Sequence, residues 1–253
     1  MAATGFRGLS VRAHATFAHQ MRSYIDDLYG SSCTCDPEFS KFSRTHLCAE
    51  QLKSSAGGGH AIVSGTYRAT VEPLLQHYGL KTRWLDVVDN IWVALWFACH
   101  AQITVGRYAH HSRRSVGQEG TAAKAYVYVF ETGETDSTSI PGYQVGEKTR
   151  LVDLRYSVPS IYLRPHAQHG VLIAPRQIDS DPTNSQGSLK PRVSGVIEIN
   201  LADALDWLNT GGMTSGYVLF PPATRDEGYR RLLDWPQAPP IGLGSITYYG
   251  PGN

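Results

Sequence analysis

Charge is what this sequence is shortest of. Only 18% of its 253 residues are Asp, Glu, Lys or Arg, against about a quarter in an ordinary globular chain, which excludes a disordered, solvating polymer. The 23 basic and 22 acidic residues cancel to a formal +1, so a nucleic-acid partner would have to be held by a local basic patch. No apolar run reaches the ~18 residues of a membrane span, and the opening MAATGFRG lacks the basic-then-apolar layout of a secretory signal. The expectation is a soluble, cytoplasmic protein with no membrane partner. Cysteine is also scarce: Cys33, Cys35, Cys48 and Cys99. With His46 the first three could suggest zinc, but C-x-C and H-x-C spacings do not fit the usual knuckle, so reduced thiols and no metal are expected. Internal repeats, a G-x-x-x-x-G-K-[ST] phosphate loop, G-x-G-x-x-G, H-E-x-x-H and G-x-S-x-G are all missing, which removes the main sequence support for kinase, dehydrogenase, metalloprotease and serine-hydrolase readings.

What is there fits a single α+β domain over residues 1–253, helical in front and β-rich behind. Val71, Leu74, Leu75 and Tyr78 form a helical stripe, with Pro73 in a first turn and Gly79 as the stop. Asp89 or Asn90 can cap a second helix whose Ile91, Ala94, Leu95 and Ala98 share a face, widened by Trp92, Trp96 and Phe97. The runs AYVYVF, LVDLRYSV, PSIYLRP, GVLIAP, GVIEIN and GYVLF predict short strands, expected as two small packed sheets. Residues 200–209 and 224–235 predict helices, the latter opened by a Thr-x-x-Glu capping box. Two polar insertions are expected, near 106–120 and 177–192. The first carries Arg107, Arg113 and Arg114 and is the best basic patch in the chain, suited to phosphates if not simply solvated.

The segment LLQHYGLKTRWLDVVDN crowds Gln76, His77, Lys81, Thr82, Arg83 and Asp86 into the join between two apolar helices. Polar groups so placed must bond to each other or to a ligand. An internal network, with Asp86 paired to Arg83, and a ligand site are both open on residues alone.

The tripeptide Phe6, Arg7, Gly8 and the block QHYGLKTRWLDVVDNIWVALWFA resemble the FRG domain family, whose central block reads Q-H-Y-G-x-x-T-R-L-L-D-W-T. YLRPHAQHGVLIAP is similar to its R-x-x-x-Q-x-G-x-F element through Arg164, Gln168 and Gly170. Trp84, Val87 and Val88 depart from the pattern at packing positions. More distantly, an aromatic-Arg-Gly strand ahead of helices and a β-rich half is similar to ADP-ribosyltransferases of the Arg-Ser-Glu class, which implies split packed sheets and NAD as substrate.

That resemblance implies that Arg7 and Gly8 hold the NAD pyrophosphate, since a planar guanidinium binds phosphate bidentately, with Gln76, Tyr78, Thr82 and Arg83 completing the cofactor surface. The class's Ser-Thr-Ser strand and Gln-x-Glu or Glu-x-Glu loop are missing; Glu131 and Glu198 lie at strand ends, but His77, Asp86 and Gln168 are the catalytic candidates because they fall in the family blocks. A carboxylate suits an oxocarbenium-like transition state, and His titrates nearest neutrality. The acceptor implied is a nucleic-acid base, most readily in DNA and in single-stranded or flipped-out form, with Tyr143, Tyr156, Tyr162 and Tyr217 as stacking candidates. Such a protein would work in DNA modification or as a toxin, with an antitoxin or hydrolase partner. The alternative is a non-catalytic nucleotide- or nucleic-acid-binding module.

Overall fold

A computed structural model of the chain describes residues 70–82, 84–116, 123–158, 160–176, 187–209, 215–234 and 244–250. Arg7, Gly8, Arg83, Cys33, Cys35, His46 and Cys48 lie outside the described residues. The architecture is mixed α+β, in line with the class expected from the sequence. Residues 70–77 form helix α1, which buries Val71, Leu74 and Leu75 and ends where Gly79 adopts φ +109°. That left-handed backbone suits glycine alone, and a Cβ there would also strike the Thr247 side chain.

Strand β1 (Leu85–Val88) follows, and Asn90 then caps α2 (Ile91–Cys99) by accepting from the amides of Trp92 and Val93. The packed face of α2 is Val93, Leu95, Trp96 and Cys99, whereas Ile91 and Trp92 are half exposed. This differs from the face expected. Nearly every α2 residue is apolar, so its periodicity could not pick a side.

Helix α2 runs directly into β2 (His100–Val105), which turns through Gly106 and Arg107 into β3 (Tyr108–Arg113). Residues 108–113, within the polar insertion expected near 106–120, are therefore a strand; its His and Arg content hid a period of two. β4 (Lys124–Phe130), β5 (Thr135–Ser137), β6 (Tyr143–Gly146) and β7 (Thr149–Asp153) precede α3 (Leu154–Ser157) and α4 (Leu163–Ala167). PSIYLRP thus contributes to a helix, with Pro165 in its first turn, where a proline costs no backbone hydrogen bond. β8 (Gly170–Pro175), a 3₁₀ turn (Gly187–Arg192), β9 (Val193–Asn200) and α5 (Leu201–Asn209) come next. α6 (Gly216–Leu219) replaces the strand expected at GYVLF, nucleated by Ser215, whose side chain accepts from the Val218 amide. In α7 (Glu227–Leu233) the cap is Asp226, not Thr224, and Glu227 bonds Arg230 and Arg231 instead of closing a capping box.

Three sheets, not two, occur among the described residues. One is five-stranded in the order β1-β8-β7-β6-β5 and antiparallel throughout; another is β10-β3-β2, with β10 (Tyr248–Tyr249) parallel to β3; the third is the β4-β9 pair. Two apolar clusters fill the interior. One gathers Leu74, Tyr78, Trp84, Leu154, Leu172 and Tyr229; the other gathers Val93, Leu95, Trp96, Leu201, Leu205 and Leu219, with Phe220 packed on its edge.

Candidate functional site

The last turn of α1 and the first residues of β1 carry the polar cluster. Backbone bonds from Gly79 N–H to the Gln76 carbonyl and from Leu80 N–H to the Leu75 carbonyl fold the chain back, which sets Gln76 and His77 over β1. The Gln76 amide then locks the return: it accepts from the Thr82 hydroxyl and donates to the Trp84 carbonyl (2.5 Å) and to Asp86 Oδ2 (3.2 Å). His77 Nδ1 lies 3.4 Å from Asp86 Oδ1. One carboxylate is thus held by two side chains from the neighbouring helix end while remaining 48% exposed, whereas the His77 side chain is only 5% exposed. His77 therefore orients Asp86 and does not itself reach a solvent-borne acceptor.

The register explains why His77 fits. Asp86 pairs with Leu172 and Val88 with Gly170, so all four project from one face of the sheet. His77 lies over Gly170, where a Cβ would come within 2.8 Å of its Cε1. Its Nε2 is buried there with no hydrogen-bond partner among the described residues.

The expected partner Gln168 is buried, but its amide donates to the Leu219 carbonyl (2.7 Å) instead of facing Asp86. It ties the end of α4 to α6. Tyr78 is likewise fully buried, and its hydroxyl donates to Asp226 Oδ2 (2.7 Å), so it is a core residue and offers no surface to a cofactor. Burial, reinforced by the Asp226 charge, holds its phenol far above the ordinary range. Thr82 is buried and serves Gln76.

The largest fully buried side chain of the described residues is Arg164, on α4. Its guanidinium carbon lies 4.4 Å from the ring centres of Tyr78 and Tyr229, 4.5 Å from that of Tyr249 and 5.5 Å from that of Phe220. Nη1 donates to the His77 carbonyl (3.4 Å), while Nε and Nη2 have no acceptor among the described residues. No carboxylate touches the guanidinium there. The nearby Asp226 accepts instead from the Arg164 backbone N–H (3.1 Å) and the Tyr229 N–H (2.8 Å). Because Tyr78 and Tyr229 belong to one apolar cluster and Phe220 borders the other, Arg164 sits at their seam.

Tyr249 packs on Arg164 and lies within electrostatic reach of Asp86. Burial raises its phenol above the ordinary range, Arg164 opposes the shift, and the Asp86 carboxylate adds to it. His111 stacks on Phe220 (4.5 Å) and Tyr249 (5.8 Å). Burial, then the neighbouring His100 and Arg164, push its pKa down to about 4. Arg164, Tyr249 and His111 are contributions that sequence reasoning did not assign to the site. Arg164 was visible in the R-x-x-x-Q-x-G element; the other two carried no local signal.

The basic candidates do not form one patch. Arg107 is at the tip of the β2-β3 hairpin and Arg113 at its base, opposite His100, six residues apart along a strand and so roughly 20 Å. Arg114 is structural: its guanidinium donates to the carbonyls of Ala98 (2.8 Å) and Lys124 (3.1 Å). Of the tyrosines considered for stacking, Tyr162 is buried, Tyr143 is partly buried, and Tyr156 and Tyr217 are exposed. Glu198 lies in β9 beside Lys124, on a different sheet from Asp86. No group of three or more His, Cys, Asp or Glu able to hold a metal occurs among the described residues.

Comparison with known families matches residues 6–105 to the FRG domain, a stretch that includes Gln76, His77 and Asp86 but stops short of Arg164 and Gln168. No curated protein and no solved structure matches the chain.

Proposed function

Since the chain carries an FRG domain over residues 6–105, we propose that it is an NAD-dependent ADP-ribosyltransferase that modifies a nucleic-acid base, most readily in DNA. The observation that carries the reading is Asp86: a half-exposed carboxylate, oriented by Gln76 and His77, beside the Arg164–Tyr249 cluster. The separation of the five-stranded and three-stranded sheets, with Asp86 on one and Tyr249 on the other, is in keeping with the split-sheet arrangement of that enzyme class.

In this reaction the bond between the nicotinamide nitrogen and ribose C1′ breaks, and its electron pair leaves with nicotinamide. The lone pair of a base nitrogen forms the new bond to C1′, and the proton displaced from the base passes to Asp86 or to water. Asp86 supplies negative charge next to the cationic sugar in the transition state, where it is worth more than in bulk water. Gln76 and His77 hold the carboxylate in place, so it needs no reorganisation as the bond breaks. Arg7 and Gly8 would bind the pyrophosphate in this reading, and Arg83 would contribute a second cation for phosphate.

The test is incubation of the protein with NAD and single-stranded DNA, RNA or nucleosides, followed by mass spectrometry for an ADP-ribose adduct and for free nicotinamide. Asp86→Asn should lower turnover at least about 100-fold, the scale of losing one preorganised transition-state group. The absence of both products with every acceptor overturns the reading. If calorimetry then shows NAD binding without turnover, the chain is the non-catalytic nucleotide-binding module.

A further inference from the structure

The three-stranded sheet has two faces of opposite character. The alternation in β3 sends Ala109 and His111 inward, with Tyr249 of β10 and Gln102 of β2 beside them, toward Arg164 and Asp86. The other face carries Tyr108 and Tyr248, paired in register, together with Val105 and Ile103 of β2 and His110 of β3. Its exposures are high for such side chains: Val105 71%, Tyr108 67%, Ile103 42% and Tyr248 37%. The two tyrosine rings stand 5.5 Å apart at 34°, and the Arg107 guanidinium lies 5.8 Å over the Tyr248 ring.

Charge narrows what such a face accepts. Between Asp89 and Glu119 the sequence contains no acidic residue, and none follows Asp234, so β2, β3 and β10 carry no carboxylate. Beside the tyrosines is Arg107, with His110 on the same face of the sheet. Flat aromatic surface flanked by a guanidinium, on strands that carry no carboxylate, suits a polyanion whose bases can be laid open on rings. It suits an acidic protein less well, because carboxylates have no use for two exposed tyrosines. A duplex would keep its bases stacked on each other.

We propose that the outer face of the β10-β3-β2 sheet is a binding platform for single-stranded nucleic acid, on which Tyr108 and Tyr248 stack successive bases while Arg107 contacts a phosphate. This names the acceptor class for the transferase reading and rests on that reading for its purpose, though not for its measurement. The sheet would carry the strand on its outer face, while Tyr249 on its inner face lies within electrostatic reach of Asp86.

The experiment measures fluorescence anisotropy of the full chain, without NAD, against 5′-fluorescein oligothymidylate and oligouridylate 12-mers and a 12-base-pair duplex. The native protein should bind a single strand more tightly than the duplex; the thymidylate and uridylate arms separate DNA from RNA. Tyr108→Ala and Tyr248→Ala should each weaken binding about tenfold, within the range for one stacked base, while Tyr108→Phe keeps it. Arg107→Ala should reduce the slope of log affinity against log salt by about 0.7. Circular dichroism checks that each variant remains folded. Failure to bind either oligomer, or equal affinity of the native protein and Tyr108→Ala, overturns the platform. NAD turnover is scored separately: nicotinamide release without tyrosine-dependent binding keeps the transferase and sinks the platform, and tyrosine-dependent binding without release does the reverse.

Discussion

Arg164 donates from Nη1 to the main-chain carbonyl of His77 across 3.4 Å, so the later of the two sequence elements reaches the earlier one through a guanidinium that no water touches. The rest of that guanidinium is enclosed by rings, with two nitrogens unmatched among the described residues. A buried charge with no touching carboxylate among the described residues is expensive, and a desolvated cation–π contact returns about 2 kcal/mol or more against it. Arg164→Met, which keeps the bulk and removes the charge, is accordingly expected to lie within about 1 kcal/mol of the native chain or to exceed it. Arg164→Ala should lose roughly 3 kcal/mol through the cavity it leaves. Urea unfolding compares them; equal losses for Met and Ala would show that the rings hold the cation more strongly than its dehydration opposes it.

Asp226 is a second wholly buried polar group, with the Tyr78 hydroxyl and the amides of Arg164 and Tyr229 all donating to it. Replacement by Ala strands three donors and removes the cap of α7, so a loss of about 3–5 kcal/mol is expected. Asp226→Asn retains an oxygen acceptor and should lose less. The same denaturation series measures both, and an Ala variant as stable as the Asn variant would contradict this account.

The sequence made the site's local half readable and hid its long-range half. α1, its glycine stop and the Asn90 cap follow from short-range rules about periodicity and capping, and these bring Gln76, His77 and Asp86 together within eleven residues. The misread stretches share a different physics. GYVLF and PSIYLRP have the apolar and β-branched content of strands, but Ser215 and the early Pro165 favour helical starts once the chain packs on Trp96 and Tyr78. The pairing of β10 with β3 sets Tyr249 within electrostatic reach of Asp86, 163 positions away in the chain. No window of sequence contains that relation. At Gln168 the sequence is silent in another way, because a buried glutamine serving a carbonyl, as this one does, and one serving a substrate look alike in sequence.

Two glycines separate positioning from folding. At Gly170 an added Cβ would meet the imidazole of His77, at 2.8 Å from Cε1; at Gly228 it would enter the Tyr162 ring, 2.3 Å from Cδ1. Neither has the left-handed backbone that glycine alone adopts readily, so the effect is steric. Gly228→Ala collides with a core ring that has no exit and should lose about 3 kcal/mol or more. Gly170→Ala should lose about 1–2 kcal/mol and shift His77 against Asp86, seen as a chemical-shift change of the His77 ring and, under the proposed transferase reading, a fall in kcat larger than any change in KM. Unaltered His77 resonances in a folded Gly170→Ala would remove the contact from the account.

Acid stability should report on His111. Its folded-state pKa of about 4 lies below the ~6.5 of an unfolded histidine, so the unfolded chain binds the extra proton first. The stability His111 permits is complete above pH 6.5, declines as pH falls from there toward 4, and levels off below. The full span is on the order of 3 kcal/mol, since each pKa unit is worth about 1.4 kcal/mol. His111→Phe, which keeps a ring against Phe220 and Tyr249, should flatten that part of the profile while leaving stability at pH 8 within about 1 kcal/mol. His100 and His166 are also held below their usual range, chiefly by burial, so some slope survives in the variant. Thermal melts of the two proteins from pH 8 to pH 4 make the comparison, and parallel curves over that interval would mean that His111 carries its proton without strain in the fold.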